Sequence, residues 1–436
     1  MFINLQVKSS LTSNAFVILC MATTIIINIG RLVNVRGEIH LLRGKDMAFL
    51  PVLEDAYVII EDGLIAGFDA MNNLSSEQKS NATIIDAAVA TILPCWCDSH
   101  THLVFAASRE EEFVDKIKGM SYAAIAAKGG GILNSSNKLN NTDETILFEQ
   151  ALQRLYGLIR LGTGAIEIKS GYGLSVDGEL KMLRIIKRLK EVSPVPVKAT
   201  FLGAHAYPVL YKEDHESYIK LIIEEMLPAI AKENLADYID CFCEEGFFSP
   251  EEMMRVCKAA MQYGLKPKLH VNQLNSIGGI EAAIELNALS VDHLETMTGE
   301  EISQLAASDT IGTLLPSAAF FLRMPYQPAR ALIDAGTAVA LASDFNPGSS
   351  PSGNMNFVVS LSCIQMKMLP EEAINAATIN GAYAIELQDE VGSISKGKRA
   401  NLIFMPAGTT VNYIPYAFGS NLIDKIMING SFFKYV

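Results

Sequence analysis

Pro94-Cys-Trp-Cys-Asp98-Ser-His100-Thr-His102-Leu-Val-Phe105 is the stretch on which the fold turns. The residues leading into it, Ala90 to Cys97, are largely apolar and read as one buried strand ending in two histidines one residue apart. On a strand, alternate side chains point the same way. His100 and His102 therefore face one direction and can grip one metal ion, whereas helical geometry would splay them. Taken alone, His-x-His suits an exposed polar strand end equally well. The rest of the chain has to supply the other ligands.

Downstream, strands and helices alternate. Glu144 to Leu161 reads as helix and Gly164 to Lys169 as strand; Asp177 to Val192 follows as helix and Val197 to His205 as strand. Glu216 to Asn234 is the next helix, Tyr238 to Cys243 the next strand, and Ser249-Pro-Glu-Glu opens another helix with proline in its first turn. The remaining strands are Lys268 to Val271, Leu289 to His293, Gly312 to Ser317 and Ala338 to Asp344. Counted from the His-x-His strand, this is the pattern of an α/β (β/α)8 TIM-like barrel. It is placed at residues 90–390. Gly129-Gly-Gly131, after the first strand, reads equally as a hinge over the site or as a plain surface loop.

Upstream, Thr24 to Ile29, Ala56 to Ile60 and Leu64 to Phe68 form short strands, with Glu61-Asp-Gly63 as a hairpin turn. The tail returns to strands at Ala400 to Phe404 and Ile426 to Gly430. Residues 21–89 and 391–436 are therefore expected to join in one small composite β-sandwich domain. Residues 1–20 hold a short apolar run, Ala15 to Cys20, without a small-residue cleavage site. They read as an upstream extension, with Met21 as the natural start.

Half of the 436 residues are hydrophobic and 19% are charged, with a formal net charge of -13. No basic stripe invites nucleic acid, and no stretch is long and apolar enough for a membrane. Seven cysteines without disulfide-scaffold spacing suit a reducing compartment, the cytoplasm. The Cys95/Cys97 and Cys241/Cys243 pairs could suggest zinc. Cys95 and Cys97, however, have the opposite strand parity to the histidines and read as core packing.

Active sites of such barrels sit at the C-terminal ends of the strands. There the first strand offers His100 and His102, the third His205, the fifth His270, the sixth His293 and the eighth Asp344. Five of the seven histidines thus fall on one face, and His40 and His215 fall in loops. Any one buried histidine is ordinarily a hydrogen-bonded core residue, but five at one end of one barrel are not explained that way.

This pattern resembles the metal-dependent amidohydrolase superfamily. The carrying motifs are Asp98-Ser-His-Thr-His-Leu-Val-Phe-Ala-Ala-Ser-Arg109, Lys169-Ser-Gly-Tyr-Gly-Leu174, Phe201-Leu-Gly-Ala-His205, Lys268-Leu-His-Val-Asn-Gln273 and Ala342-Ser-Asp-Phe-Asn-Pro-Gly-Ser349. Within it they are most similar to the branch that opens an imidazolone ring in histidine breakdown. The resemblance implies His100, His102, His270 and Asp344 as ligands of one Zn(2+) or Fe(2+)/Fe(3+) ion. Binuclear relatives carry a bridging lysine on the fourth strand, where this chain has Cys243-Glu244. It implies hydrolysis of the cyclic amide of 4-imidazolone-5-propanoate to N-formimidoyl-L-glutamate by a metal-activated water.

His293 is then the expected base, with Asp344 and His205 assisting. Arg109, Tyr172, His205, Gln273, Asn346, Gly348 and Ser349 are expected to bind a small, carboxylate-bearing substrate, and the expected assembly is a homodimer. Three departures from the family pattern stand out: Cys95 where glycine is usual, Asn401 where aspartate is common, and Gln273 where some members have glutamate. Two rival readings are a deaminase of the same superfamily acting on a nitrogen heterocycle, and a non-catalytic barrel used for assembly. The rivals differ in what they need: the deaminase keeps the same ligands without a grip on a carboxylate, and assembly barrels have usually lost ligands.

Overall fold

The computed structural model describes residues 23–120 and 130–434. The expectations for residues 1–20 and for Gly129 lie outside them. Two sheets organise the chain. The first runs in the order β16-β15-β14-β5-β1-β2-β3, with β4 also paired to β1. Its strands are β1 Thr23–Val33, β2 Val52–Glu61, β3 Leu64–Ala70, β4 Thr83–Asp86, β5 Thr91–Pro94, β14 Leu402–Met405, β15 Lys425–Ile428 and β16 Ser431–Phe432. Both chain regions meet in it where β5 pairs antiparallel with β14, Pro94 opposite Leu402.

The second sheet is the barrel: β6 Trp96–Asp98, β7 Thr163–Lys169, β8 Val197–Ala204, β9 Tyr238–Cys243, β10 Lys266–Val271, β11 Ser290–His293, β12 Ile311–Leu314 and β13 Val339–Leu341. Every ladder between neighbours is parallel, and helices fill the connections. Their starts follow from local chemistry. Ser249 caps the helix Pro250–Met261 in a reciprocal pair with Glu252, and Asp143 caps Glu144–Arg160. The expected helix from Glu216 to Asn234 forms, but with a π-helical turn at Ile222–Met226 and a left-handed cap at Asn234. Apolar faces of the helices and strands make one large core around the barrel. No helix among the described residues is long and apolar enough to cross a membrane.

The opening stretch needs a correction. Ala90 to Cys97 is not one strand: Thr91–Pro94 belongs to the first sheet and Trp96–Asp98 to the barrel. Proline has no N–H to continue a ladder. The Cys95 N–H turns to the Asn401 carbonyl, and the Trp96 N–H to the Gly162 carbonyl. The barrel therefore begins at Trp96 and not at residue 90. Two of the departures find their place here. A Cβ on Gly164 would lie 2.3 Å from the Cys95 Cβ, so Gly164 vacates the space that Cys95 fills. Asn401 donates to the Gly164 carbonyl and accepts from the Asn429 N–H, two roles an ionised aspartate could not combine.

β6 and β13 close the barrel beyond their ends. Asp344 N–H donates to the His100 carbonyl at 3.0 Å and His102 N–H to the Phe345 carbonyl at 2.9 Å. The Asp98 carboxyl accepts from Ser343 N–H at 3.0 Å and Ser343 Oγ at 2.6 Å. His100 and His102 thus lie just past β6, in an extended segment stitched to the one that carries Asp344.

Candidate active site and metal centre

At this end of the barrel, side chains from four strands converge. His100 Nε2 lies 3.1 Å from His270 Nε2, and Asp344 Oδ1 lies 3.5 Å from Nε2 of both His100 and His102. The ligand atoms of His100, His102 and His270 fall within 4.8 Å of one another, as do those of His100, His293 and Asp344. All five residues are buried.

The donor set fits a transition metal. His100 Nδ1 is 2.6 Å from Asp292 Oδ2, and His270 Nδ1 is 2.8 Å from Asp240 Oδ2. A carboxylate accepts, so each Nδ1 carries the proton and each Nε2 presents a bare lone pair. Two lone pairs facing each other at 3.1 Å repel, unless a cation lies between them. Tetrahedral zinc with nitrogens at about 2.0–2.1 Å would set them roughly 3.3 Å apart. The protonation states agree. Burial holds the His100 imidazole far below its usual range and brings His270 down to about 4. Burial would raise Asp344, but His102 and His293 outweigh it and keep the carboxyl below its usual range. Neutral imidazoles and an anionic carboxylate are the forms that bind metal.

His293 is set apart from the others. Its φ is 92° and that of Leu294 is 68°, and Asp344 has a φ of 53°. Non-glycine residues in this region are strained and are held there by their surroundings. The turn brings Glu295 Oε1 to 3.3 Å from His293 Nδ1, leaving Nε2 toward the ligands. Burial lowers the affinity of His293 for a proton, but Glu295 more than offsets this and the net shift is upward. The second oxygen of Asp344 is occupied, accepting from Ser349 Oγ at 3.0 Å. Asn346 donates to the Asp344 carbonyl and Ser349 Oγ, and accepts from the N–H groups of Gly348 and Ser349. Asn346 and Ser349 thus hold the loop that aims Asp344.

Arg109 sits at the N-terminus of the helix Glu110–Ile117. Its Nε donates to Ser135 Oγ at 2.9 Å, while its buried Nη2 has no hydrogen-bond partner among the described residues. A Cβ on Gly348 would meet Arg109 Nη1 at 2.4 Å, so glycine there makes room for the guanidinium. Tyr172 is buried with its ring 6.0 Å from His102 and 5.5 Å from His205. His205 lies nearly parallel to His102, and its Nδ1 is 2.8 Å from the Gly171 carbonyl. That contact places the proton on Nδ1 and leaves Nε2 an acceptor, and burial takes the pKa to about 3. Gln273 is buried just past β10, beside Asn272 at a φ of 56°.

Sequence reading missed Asp240, Asp292 and Glu295. The signal was present: Tyr238-Ile-Asp-Cys-Phe-Cys243 and Ser290-Val-Asp-His293 each carry a carboxylate in an otherwise buried strand. A buried charge of that kind demands a partner.

A barrel whose first, fifth, sixth and eighth strands deliver this cluster has the architecture of the amidohydrolases, and the model of the amidohydrolase family matches residues 91–432. The chain belongs to that family. Solved structures of the same fold include a guanine deaminase from E. coli, with a TM-score of 0.69 at 13% identity over 95% of this chain and 99% of that one. An adenosine deaminase from Xanthomonas campestris with bound zinc gives 0.66 at 16%, over 94% and 92%. Relatives of this chain in sequence include imidazolonepropionases. That of Flavobacterium johnsoniae is 57% identical over 93% of this chain and 99% of the relative. That of Clostridium tetani is 42% identical over 89% and 93%.

Proposed function

We propose that this protein hydrolyses the cyclic amide of 4-imidazolone-5-propanoate to N-formimidoyl-L-glutamate in histidine degradation. Its likeness to imidazolonepropionases along nearly their whole length supports this, and one observation in the site carries it: Arg109 has a buried Nη2 with no partner among the described residues. A buried guanidinium donor is costly unless an anion completes it. The substrate's propionate is such an anion. The rings of purines and related deaminase substrates lack it, and an assembly barrel would not need the full ligand set.

His100, His102, His270 and Asp344 would hold one Zn(2+) or Fe(2+)/Fe(3+) ion. The ion supplies Lewis acidity, bringing a water's pKa to about 7. His293, steadied by Glu295, takes a proton from the attacking water. The water oxygen adds to the ring carbonyl carbon, the carbon–nitrogen bond breaks, and the departing ring nitrogen takes up a proton. Asp344 assists that transfer, while Ser349 and Asn346 hold its loop. Arg109 anchors the tail beside Gly348, and Tyr172 packs against the ring. His205, with a bare Nε2, suits a ring N–H better than the carbonyl oxygen. Gln273 has no proton to exchange and binds substrate as a hydrogen-bonding amide. The cysteine usage supports a cytoplasmic setting, and superfamily resemblance a homodimer.

The test is to follow imidazolone absorbance after adding substrate to metal-loaded protein. Loss of the ring chromophore with stoichiometric formation of formimidoylglutamate is expected. Turnover of a purine or pterin instead, with ammonia released, would establish the deaminase reading.

A further inference from the structure

Lys169 belongs to a motif whose Tyr172 lies against His102 and His205, but the metal and substrate roles leave the lysine unexplained. It is fully buried at the end of β7, among groups that are also fully buried: Glu167, Asp240, Lys268 and Asp292. Its Nζ lies 2.9 Å from Glu167 Oε1, 2.9 Å from Asp240 Oδ2 and 3.7 Å from Asp292 Oδ2. The last two atoms are the same oxygens that accept the imidazole N–H groups of His270 and His100. One ammonium therefore touches both oxygens that aim two metal ligands, on strands that are not neighbours in the sheet. Lys268 is less central: its Nζ is held by Ser290 Oγ at 2.8 Å and the Ala384 carbonyl at 3.1 Å, with Asp292 Oδ2 at 3.8 Å.

We propose that Lys169 is a positioning residue for the metal centre, clamping Asp240 and Asp292 together so that His270 and His100 converge. Both carboxylates lie within 3.7 Å of its nitrogen. Without the ammonium, two buried negative charges a few ångströms apart repel at low dielectric. Their side chains then turn apart, each drawing its imidazole with it, and the facing Nε2 atoms lose their register. The inference rests on the metal-centre reading, and it concerns affinity for the ion rather than the chemistry.

The experiment measures zinc affinity by chelator competition on purified full-length protein, with far-UV circular dichroism to confirm folding. Lys169→Met is expected to weaken zinc binding about 10–100-fold, the usual cost of removing a group that orients a ligand. A loss smaller than tenfold overturns the proposal. The double variant Lys169→Met with Asp292→Asn removes the repulsion while keeping an oxygen for His100 Nδ1–H, and should regain most of the affinity. A double variant no tighter than Lys169→Met also overturns it. Should Lys169→Met fail to fold, Asp292→Asn is compared with the double variant, and the two are expected to agree within about threefold; a wider gap counts against the clamp. Wild-type protein that binds no zinc overturns the metal centre itself, and the clamp with it. Wild-type protein that binds zinc no better than Lys169→Met overturns the clamp alone.

Discussion

The two sheets bury their interiors by opposite rules. The first is filled by Ile26, Ile29, Leu32, Val58, Ile60, Leu402 and Phe404, and its Arg31–Glu54 ion pair stays at the surface, 32% and 60% exposed. The C-terminal end of the barrel buries Glu167, Lys169, Asp240, Asp292, Asp344 and five histidines beside one another. An aliphatic interior is stable however its neighbours are chosen, provided volume is kept. A buried ionic interior is costly unless every partner is present, and it yields one arrangement of groups. The sheet therefore contributes stability, and the barrel mouth spends part of it on geometry.

The contrast is open to attack from the barrel side first. His270→Ala removes one of two Nε2 atoms at 3.1 Å and should abolish both metal retention and turnover. Elemental analysis together with the imidazolone assay reads both; a metal-free wild type whose activity survives chelation would remove the basis of the comparison. Next in size is His293→Asn, which keeps a hydrogen-bonding group and loses the base. Metal content and KM should stay near wild type while kcat falls by about 10²–10⁴, the usual size of a general-base contribution. Loss of metal in that variant would make His293 a ligand.

From the other side, Leu32→Ala in β1 empties a fully buried site in the aliphatic sheet. It should cost about 2–5 kcal/mol in urea denaturation with kcat and KM unchanged. A kinetic effect without a stability loss would reverse the assignment of roles.

Acid should separate the two interiors further. His270 titrates near 4 in the fold and near 6.5 when unperturbed. Between these values the unfolded chain binds the extra proton, so stability is lost as pH falls from 6.5 toward 4, by about 3 kcal/mol. Denaturation midpoints of metal-free protein across that range, with His270→Gln for comparison, measure it; an equal slope in both proteins would place the acid sensitivity elsewhere. The smallest effect is expected from Arg109→Lys, since an ammonium cannot form two parallel hydrogen bonds to a carboxylate. KM should rise by about 2–3 kcal/mol, roughly 30–150-fold, with kcat less affected. An unchanged KM would put Arg109 outside the tail site.

Much of this was legible in the chain. Alternating strands and helices gave the barrel, and His-x-His with His270, His293 and Asp344 at strand ends gave the cluster, because strand periodicity and barrel topology send such residues to one face. Of the two side chains singled out from their motifs, Tyr172 lies by His102 and His205, and Arg109 by Gly348. The carboxylates of Asp240 and Asp292 were visible as charges in apolar strands, and Glu295 just past one, but nothing local said which histidine each would meet.

What the sequence determined by itself was therefore the architecture and the chemical set, since both follow from periodicity and residue type. Tertiary structure decided the rest. It broke the apolar run at Cys95 because the N–H groups after Pro94 had to find carbonyls in two different sheets. It turned Asn346 and Ser349 inward to hold Asp344. It brought Lys169 on β7 against carboxylates on β9 and β11, some 70 and 120 residues away along the chain. Hydrogen bonds and ion pairs are specific to atoms a few ångströms apart, and only the closed barrel fixes which atoms those are.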